Sequence, residues 1–339
     1  MIANKAVIVK KFGDLEHTTI GPYRLPPLSG RIEVEVYYCG VNFSDLYTRL
    51  GFLPNTLPFV LGTECSGVIT AVGVPGDHYK VGERVICYDY RGGMYSDRIR
   101  VLPECVFHIP GDIPLEVAAS LFVNYLTAYF AVIEFGHLKP YETILINSCA
   151  GGVGSAATQI ARTVKNVTIY GTASRSKAFY AEENGIDMLF SYNDVLQDLK
   201  YVEPYGVDVI VENQTANTVY DNISLLKPMG RIIMIGVNTA VKENHLSYLS
   251  LLRMWWKSWW FSMKDLVINN YCVAGLHLGL LLDKDRERVR EALHYIFKLH
   301  RDGKIKPKID SIWLMEDYHD AIRVLSSRKN IGKVLLKVR

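Results

Sequence analysis

The sequence predicts a two-domain α/β protein in which a doubly wound parallel sheet is joined to a β-rich domain. Three observations carry that expectation. The chain has 339 residues, long enough for two domains of ordinary size. Up to about residue 110 it shows short β-rich runs punctuated by Gly and Pro. From about residue 123 onward strand-like and helical patterns alternate around a Gly-rich turn at 150 to 154.

The elements follow in chain order. KAVIVKKFG opens the chain as a strand, and RIEVEVYYCGV (31 to 41) and RVICYDY (84 to 90) continue the β-rich part. Residues 117 to 133 are the most apolar long stretch, interrupted by Ser120, Asn124 and Thr127, which reads as a core helix rather than a membrane span of about 20 apolar residues. ETILINS, a Gly-rich turn, SAATQIARTV, NVTIYGTA, SKAFYAEENG, VDVIVEN and RIIMIGV then alternate as βαβ units, with CVAGLHLG (272 to 279) as the last strand of the sheet. RERVREALHYIFKLHRDGKI is amphipathic at helical spacing and stops at Gly303. SIWLM and KVLLKV close the chain as strands.

Composition narrows the function classes. With 49% hydrophobic and 22% charged residues this is an ordinary globular chain, and a net charge of +3 is too weak to imply nucleic acid. The six cysteines show neither CxxC nor zinc-finger spacing, so reduced core thiols in a cytoplasmic protein are expected. The N-terminus enters a strand without an apolar leader segment.

The Gly-rich turn CAGGVG (149 to 154) follows a strand and opens a helix, the context in which glycines let backbone approach a pyrophosphate at a helix N-terminus. Gly151, Gly152, Val153 and Gly154 are therefore candidate cofactor-binding residues; the alternative is a tight strand-helix turn with no ligand. About 20 residues on, where an NAD-preferring fold places an acid, this chain has GTASRSK (171 to 177). Ser174, Arg175 and Lys177 suit the 2′-phosphate of NADPH, unless the two cations simply begin an exposed helix.

Several motifs stand in a known order: KAVIVKKFG, GVNFSDLYTRLG (40 to 51), LGTECSGVI (61 to 69), VGERV (81 to 85), AGGVG (150 to 154) and NIGKVLL (330 to 336). Together they resemble the medium-chain dehydrogenase/reductase superfamily, and its zinc-free quinone oxidoreductase branch in particular. NVTIYGTASRSK (166 to 177), LLKPMGRI (225 to 232), a Trp-Trp pair, GLHLG (275 to 279) and IKPKIDSIW (305 to 313) are similar to the vesicle amine transport protein homologues of that branch.

The resemblance implies a GroES-like catalytic domain at 1 to 122 and 279 to 339, around a Rossmann dinucleotide-binding domain at 123 to 278. It implies further cofactor contacts from Thr127, Tyr192, the turn at Gly236, the backbone of Leu276 and Leu278, and Asn330. It also implies a homodimer paired through CVAGLHLG. Two positions depart from the family pattern: Cys149 replaces the first glycine of the turn, and ENQTAN (212 to 217) replaces a Gly-Gly pair after the fourth strand.

Aligned on the resemblance, the catalytic zinc ligands of an alcohol dehydrogenase become Asn42 and Thr63, VNYLTAY supplies no cysteine, and the four-cysteine structural zinc loop is missing. Without a Lewis acid, quinones and enones are easier hydride acceptors than simple ketones, because charge delocalises and hydrogen-bond donors can stabilise it. Asn42 is expected to orient or bind the acceptor carbonyl, Tyr47 to hydrogen-bond it or supply a proton, and Thr63 to donate a further hydrogen bond, with Asp45 supporting the loop. The alternative is that Asn42 holds a turn and Tyr47 packs at a domain interface.

MWWKSWWFSM (254 to 263) places Trp255 with Trp259, and Trp256 with Trp260, at i, i+4 on a helix. Such a face is core, cleft lining or dimer contact on the one hand, and a lipid-surface contact flanked by Arg253, Lys257 and Lys264 on the other. Two functions stay open on the sequence: an NADPH-dependent reductase, and a nucleotide-binding, membrane-peripheral protein with little turnover.

Overall fold

A computed structural model describes residues 4–76, 78–214, 216–242, 245–258 and 263–339. The chain divides into two compact units, one of Met1–Phe122, Val241–Leu246 and Ile309–Arg339, the other of Val123–Ala240 and Ser247–Lys308.

In chain order the first unit begins with β1 (Lys5–Val9), β2 (Thr18–Pro22), β3 (Ile32–Val41), helix α1 (Phe43–Arg49), β4 (Phe59–Val60), β5 (Glu64–Val72), β6 (Arg84–Tyr88), β7 (Arg98–Val101) and β8 (Val106–His108). Helix α2 (Leu115–Tyr129) follows and continues to Phe135 as a 21-residue apolar helix, 72% of whose most apolar window is buried, as befits a core helix.

The second unit holds β9 (Thr143–Ile146), α3 (Gly152–Ala161), β10 (Thr168–Thr172), α4 (Ala178–Glu183), β11 (Met188–Phe190), α5 (Val195–Val202), β12 (Val207–Glu212), α6 (Ala216–Ile223) and β13 (Leu226–Met234). The short hairpin of β14 (Val241–Lys242) and β15 (His245–Leu246) belongs to the first unit. Then come α7 (Tyr248–Ser258), α8 (Met263–Asn269), β16 (Cys272–Gly275), α9 (Leu278–Lys284) and α10 (Arg286–Arg301). The chain ends in the first unit with β17 (Ile309–Leu314), α11 (Tyr318–Ser326) and β18 (Lys333–Lys337).

In the first unit a sheet runs β17-β18-β3-β5-β6-β8, with β7 also paired to β3, and a second, three-stranded sheet runs β2-β1-β4. The pairing sets β18 antiparallel to β3 and β3 antiparallel to β5, so the carboxyl end of β3 lies beside the start of both neighbours: Val334 faces Val41, and Glu64 faces Gly40. Residues adjoining that corner, though far apart in sequence, are therefore brought together.

In the second unit six parallel strands run β11-β10-β9-β12-β13-β16. The order reverses between β9 and β12, the switch point at which α/β sheets open a crevice at the strands' carboxyl ends. Beneath it Leu145, Tyr170, Phe190, Leu199, Ile210 and Ile232 pack into one apolar core. A fully buried Leu or Ile contributes about 1.5–3 kcal/mol.

By compactness the chain's last return to the first unit falls at Ile309, whereas the resemblance implied 279. The physical reason is that residues 279 to 308 pack on the parallel-sheet unit: the Tyr295 ring lies tilted at 5.6 Å from that of Tyr129, Arg288 pairs with Glu134 at 3.0 Å, and Gln159 donates to the Lys306 carbonyl at 3.0 Å.

Candidate active site

In the first unit the loop from β3 into α1 builds a buried polar cluster. Asn42 precedes the helix, and its backbone N–H donates to Asp45 Oδ2 at 2.8 Å, the capping contact that a carboxylate at the third helical position makes. Tyr95 Oη donates to the same oxygen at 2.7 Å. Burial pushes the Asp45 carboxyl up to about 6, although Tyr95, the Asn42 N–H and Lys333 all favour its ionised form.

The Asn42 side chain is enclosed. Its Oδ1 accepts from Lys333 Nζ at 2.6 Å, and its Nδ2 lies 2.9 Å from Glu64 Oε1, 3.2 Å from Thr63 Oγ1 and 3.3 Å from the Gly40 carbonyl. Lys333 and Glu64 themselves form an ion pair at 2.5 Å, with side chains only 3% and 0% exposed. Buried charges persist only when paired and hydrogen-bonded, and here each serves the other.

Tyr47 is buried on α1 with its ring 6.3 Å from that of Phe43 and 5.8 Å from that of Phe52. Asn42 and Thr63 are thus in direct contact, whereas Tyr47, on the helix that follows Asn42, packs against Phe43 of that helix and Phe52 beyond its end. Glu64, Tyr95 and Lys333 are absent from the residues singled out in the sequence. The signal for two of them was present: Glu64 and Lys333 are charges at the edges of the apolar runs ECSGVI and KVLL.

Zinc does not fit this donor set. Zinc is held by thiolate, imidazole or carboxylate, whereas this cluster centres on an amide and a hydroxyl, an ammonium already touches the amide oxygen and the carboxylate is paired with that ammonium. Among the described residues no group of three or more His, Cys, Asp or Glu is arranged to hold a metal.

In the second unit the Gly-rich turn lies between β9 and α3 at the carboxyl end of the sheet. Ser148 takes a left-handed backbone conformation (φ 54), and the Gly151 N–H closes the turn on its carbonyl at 2.9 Å. A Cβ on Gly154 would overlap that same carbonyl, and one on Gly152 would come within 2.5 Å of the Asn124 amide, so the glycines are set by close packing of helix, turn and α2. The first-turn N–H groups of α3, from Gly152, Val153 and Gly154, have no intrahelical acceptor by construction and suit an anion.

Ser148 Oγ is a hub: it accepts from Gln214 Nε2 at 2.6 Å and Tyr192 Oη at 3.2 Å, and donates to Asn213 Oδ1 at 3.2 Å. Asn213 and Gln214, from the segment that departs from the family pattern, therefore dock onto the turn. Underneath, the buried Glu212 carboxylate accepts from Asn147 Nδ2 at 2.8 Å, the Gln214 N–H at 2.6 Å, Thr218 and Asn222. Burial raises its pKa against these donors.

The other candidates are dispersed. Ser174 and Arg175 are exposed after β10, with Lys177 partly buried and close enough to Cys149 to favour its thiolate, although burial pushes that thiol up to about 12. Gly236 follows β13, Leu276 donates its N–H to the Met234 carbonyl at 2.9 Å, and Leu278 is buried at the start of α9. Thr127 is buried on α2. Asn330 lies in the first unit, where its amide donates to the Gly332 carbonyl at 2.8 Å.

On α7, Trp255 and Trp256 are 55% and 62% exposed and share a face with Tyr248 and Leu252, also exposed. Trp259 and Trp260 lie outside the described residues.

Known proteins match along most of the chain. Residues 29–111 match the alcohol dehydrogenase GroES-like domain family, and residues 152–298 the zinc-binding dehydrogenase family. The synaptic vesicle membrane protein VAT-1 homolog of Rattus norvegicus is 37% identical over 314 residues, 91% of this chain and 77% of that protein. The crystal structure of the human VAT-1 homolog-like protein is 30% identical with a TM-score of 0.86, covering 100% of this chain and 99% of that one. A mycobacterial protein solved in complex with NADPH has a TM-score of 0.86 over 99% of this chain and 100% of that one, at 23% identity, a likeness of fold.

Proposed function

From the premise that the chain belongs to the family of the synaptic vesicle membrane protein VAT-1 homologues, with the medium-chain dehydrogenase/reductase fold, we propose that it is an NADPH-dependent, zinc-independent reductase of quinones or α,β-unsaturated carbonyls. The observation that carries this reading is the Asn42–Thr63 contact, an amide bonded to a hydroxyl at the positions that the sequence resemblance aligns with zinc ligands. A neutral hydroxyl donor such as Thr63 stabilises a delocalised enolate or hydroquinone anion, and an isolated alkoxide less well.

Bound NADPH supplies the hydride. The second unit would hold it: the first-turn amides of α3 take the pyrophosphate, and Arg175 with Lys177 takes the 2′-phosphate, since the segment after β10 carries no acid. Thr63 and Tyr47 of the first unit serve the acceptor, Thr63 as hydrogen-bond donor and Tyr47 as proton source, while Asn42 orients. A homodimer paired through the edge strand β16 is part of the same reading.

The test is NADPH oxidation, followed by absorbance, against a panel of quinones and enones. Turnover with conjugated acceptors and none with saturated ketones supports the reading; no turnover with any acceptor refutes it.

The exposed aromatic face of α7 favours a second reading, contact with a lipid surface at headgroup depth. Trp255→Ala with Trp256→Ala then lowers co-sedimentation with anionic phospholipid vesicles. If the wild-type chain does not sediment with vesicles, that reading is wrong.

A further inference from the structure

We infer that Lys333 and Glu64 are positioning residues of the acceptor site, fixing the Asn42 amide in one orientation and thereby assigning the outward hydrogen-bond donor to Thr63. The inference rests on the reductase reading for its purpose, though not for its geometry.

The geometry is a matter of which groups can donate. A lysine ammonium only donates and a carboxylate only accepts. Lys333 Nζ at 2.6 Å therefore holds Asn42 Oδ1, and Glu64 Oε1 at 2.9 Å holds Nδ2. A reversed amide would point its hydrogens at the ammonium and its oxygen at the carboxylate, two repulsive contacts in a site where charges are 3% and 0% exposed.

With that orientation set, the two Nδ2 hydrogens are shared among Glu64, Thr63 and Gly40. Nothing remains on the amide for a substrate oxygen. Thr63 Oγ1, in contrast, accepts from Asn42 at 3.2 Å, so its own proton is directed away from the amide. The hydroxyl therefore keeps a hydrogen to offer an acceptor carbonyl, and it is polarised by the bond it receives. Asn42 then acts through Thr63, and the ion pair acts through Asn42.

Lys333→Met alone strands the Glu64 carboxylate, so the variant to measure is the charge-neutral Glu64→Gln with Lys333→Met, checked for folding by thermal melting. Two readouts apply. The first is the Asn42 side-chain amide signal under 15N-asparagine labelling, assigned by its loss in Asn42→Ala. It is expected to be single and slow to exchange in the wild type, and shifted or doubled in the double variant. An unchanged signal overturns the inference.

The second is turnover with NADPH and a conjugated acceptor. The double variant is expected to lose roughly 10- to 100-fold in kcat with the NADPH Kd within about twofold of wild type. Thr63→Val is expected to cost similarly in the wild type and little in the double variant, because the two act as one unit. Wild-type kcat in the double variant, or additive losses, overturns the inference. If the wild type turns over no acceptor while the amide signal responds as expected, the reductase reading falls and the orientation by Lys333 and Glu64 stands.

Discussion

The Sγ of Cys149 occupies the space that a Cβ on Gly171 would need: the two would stand 2.6 Å apart. The cysteine that replaces the first glycine of the turn is thus accommodated by a glycine on the neighbouring strand β10. Gly171→Ala is expected to destabilise by about 1–3 kcal/mol through overpacking. Cys149→Gly placed with it should recover part of that loss, as read from urea denaturation midpoints. Simple additivity of the two changes would argue against the fit.

Asp45 gives a pH dependence with a definite sign. Its folded pKa, raised from 3.8 to about 6 by burial, means that the folded state holds this proton more tightly than the unfolded chain does. The ionised carboxyl therefore weakens folding above pH 6, by about 3 kcal/mol at full effect, and the penalty fades as pH falls from 6 to 3.8. Asp45→Asn should show its most favourable melting temperature relative to wild type at pH 8, with the difference moving against the variant at pH 5. A difference independent of pH would contradict this.

Arg175 and Lys177 are expected to set cofactor choice. Changing both to Ala should weaken NADPH binding by more than about 10-fold and leave NADH binding near its wild-type value, since charge-assisted contacts to one phosphate are lost. Fluorescence titration with both dinucleotides measures it. A wild-type preference for NADH would remove these residues from the site.

Tyr47→Phe keeps the ring contacts to Phe43 and Phe52 and removes the hydroxyl. The expectation is a kcat lowered by roughly 10²–10³ with NADPH affinity retained, the pattern of a lost proton donor. Unchanged turnover would return Tyr47 to a packing role.

Much of this architecture was legible in the sequence, for physical reasons. Alternating runs such as RIIMIGV and the glycine turn reflect local periodicity and backbone need, and they appear as β13 and as the β9–α3 junction. The return point at Ile309 was not legible, because α10 is amphipathic whichever unit it packs against. Nor was the company Asn42 keeps: Lys333 lies 291 positions away and meets it only because β18 and β5 flank β3. The hub at Ser148 was missed likewise, since Gln214 reaches it through the crossover between β9 and β12.

The most direct measurement uses NADPH deuterated at C4 of the nicotinamide, with an α,β-unsaturated ketone as acceptor, and mass spectrometry of the product. Direct hydride transfer delivers one deuterium, as deuteride, to the β-carbon, with a solvent proton at the α-carbon. A saturated product without deuterium from either face of the labelled cofactor, or no product at all, would contradict the assignment of this chain as a reductase.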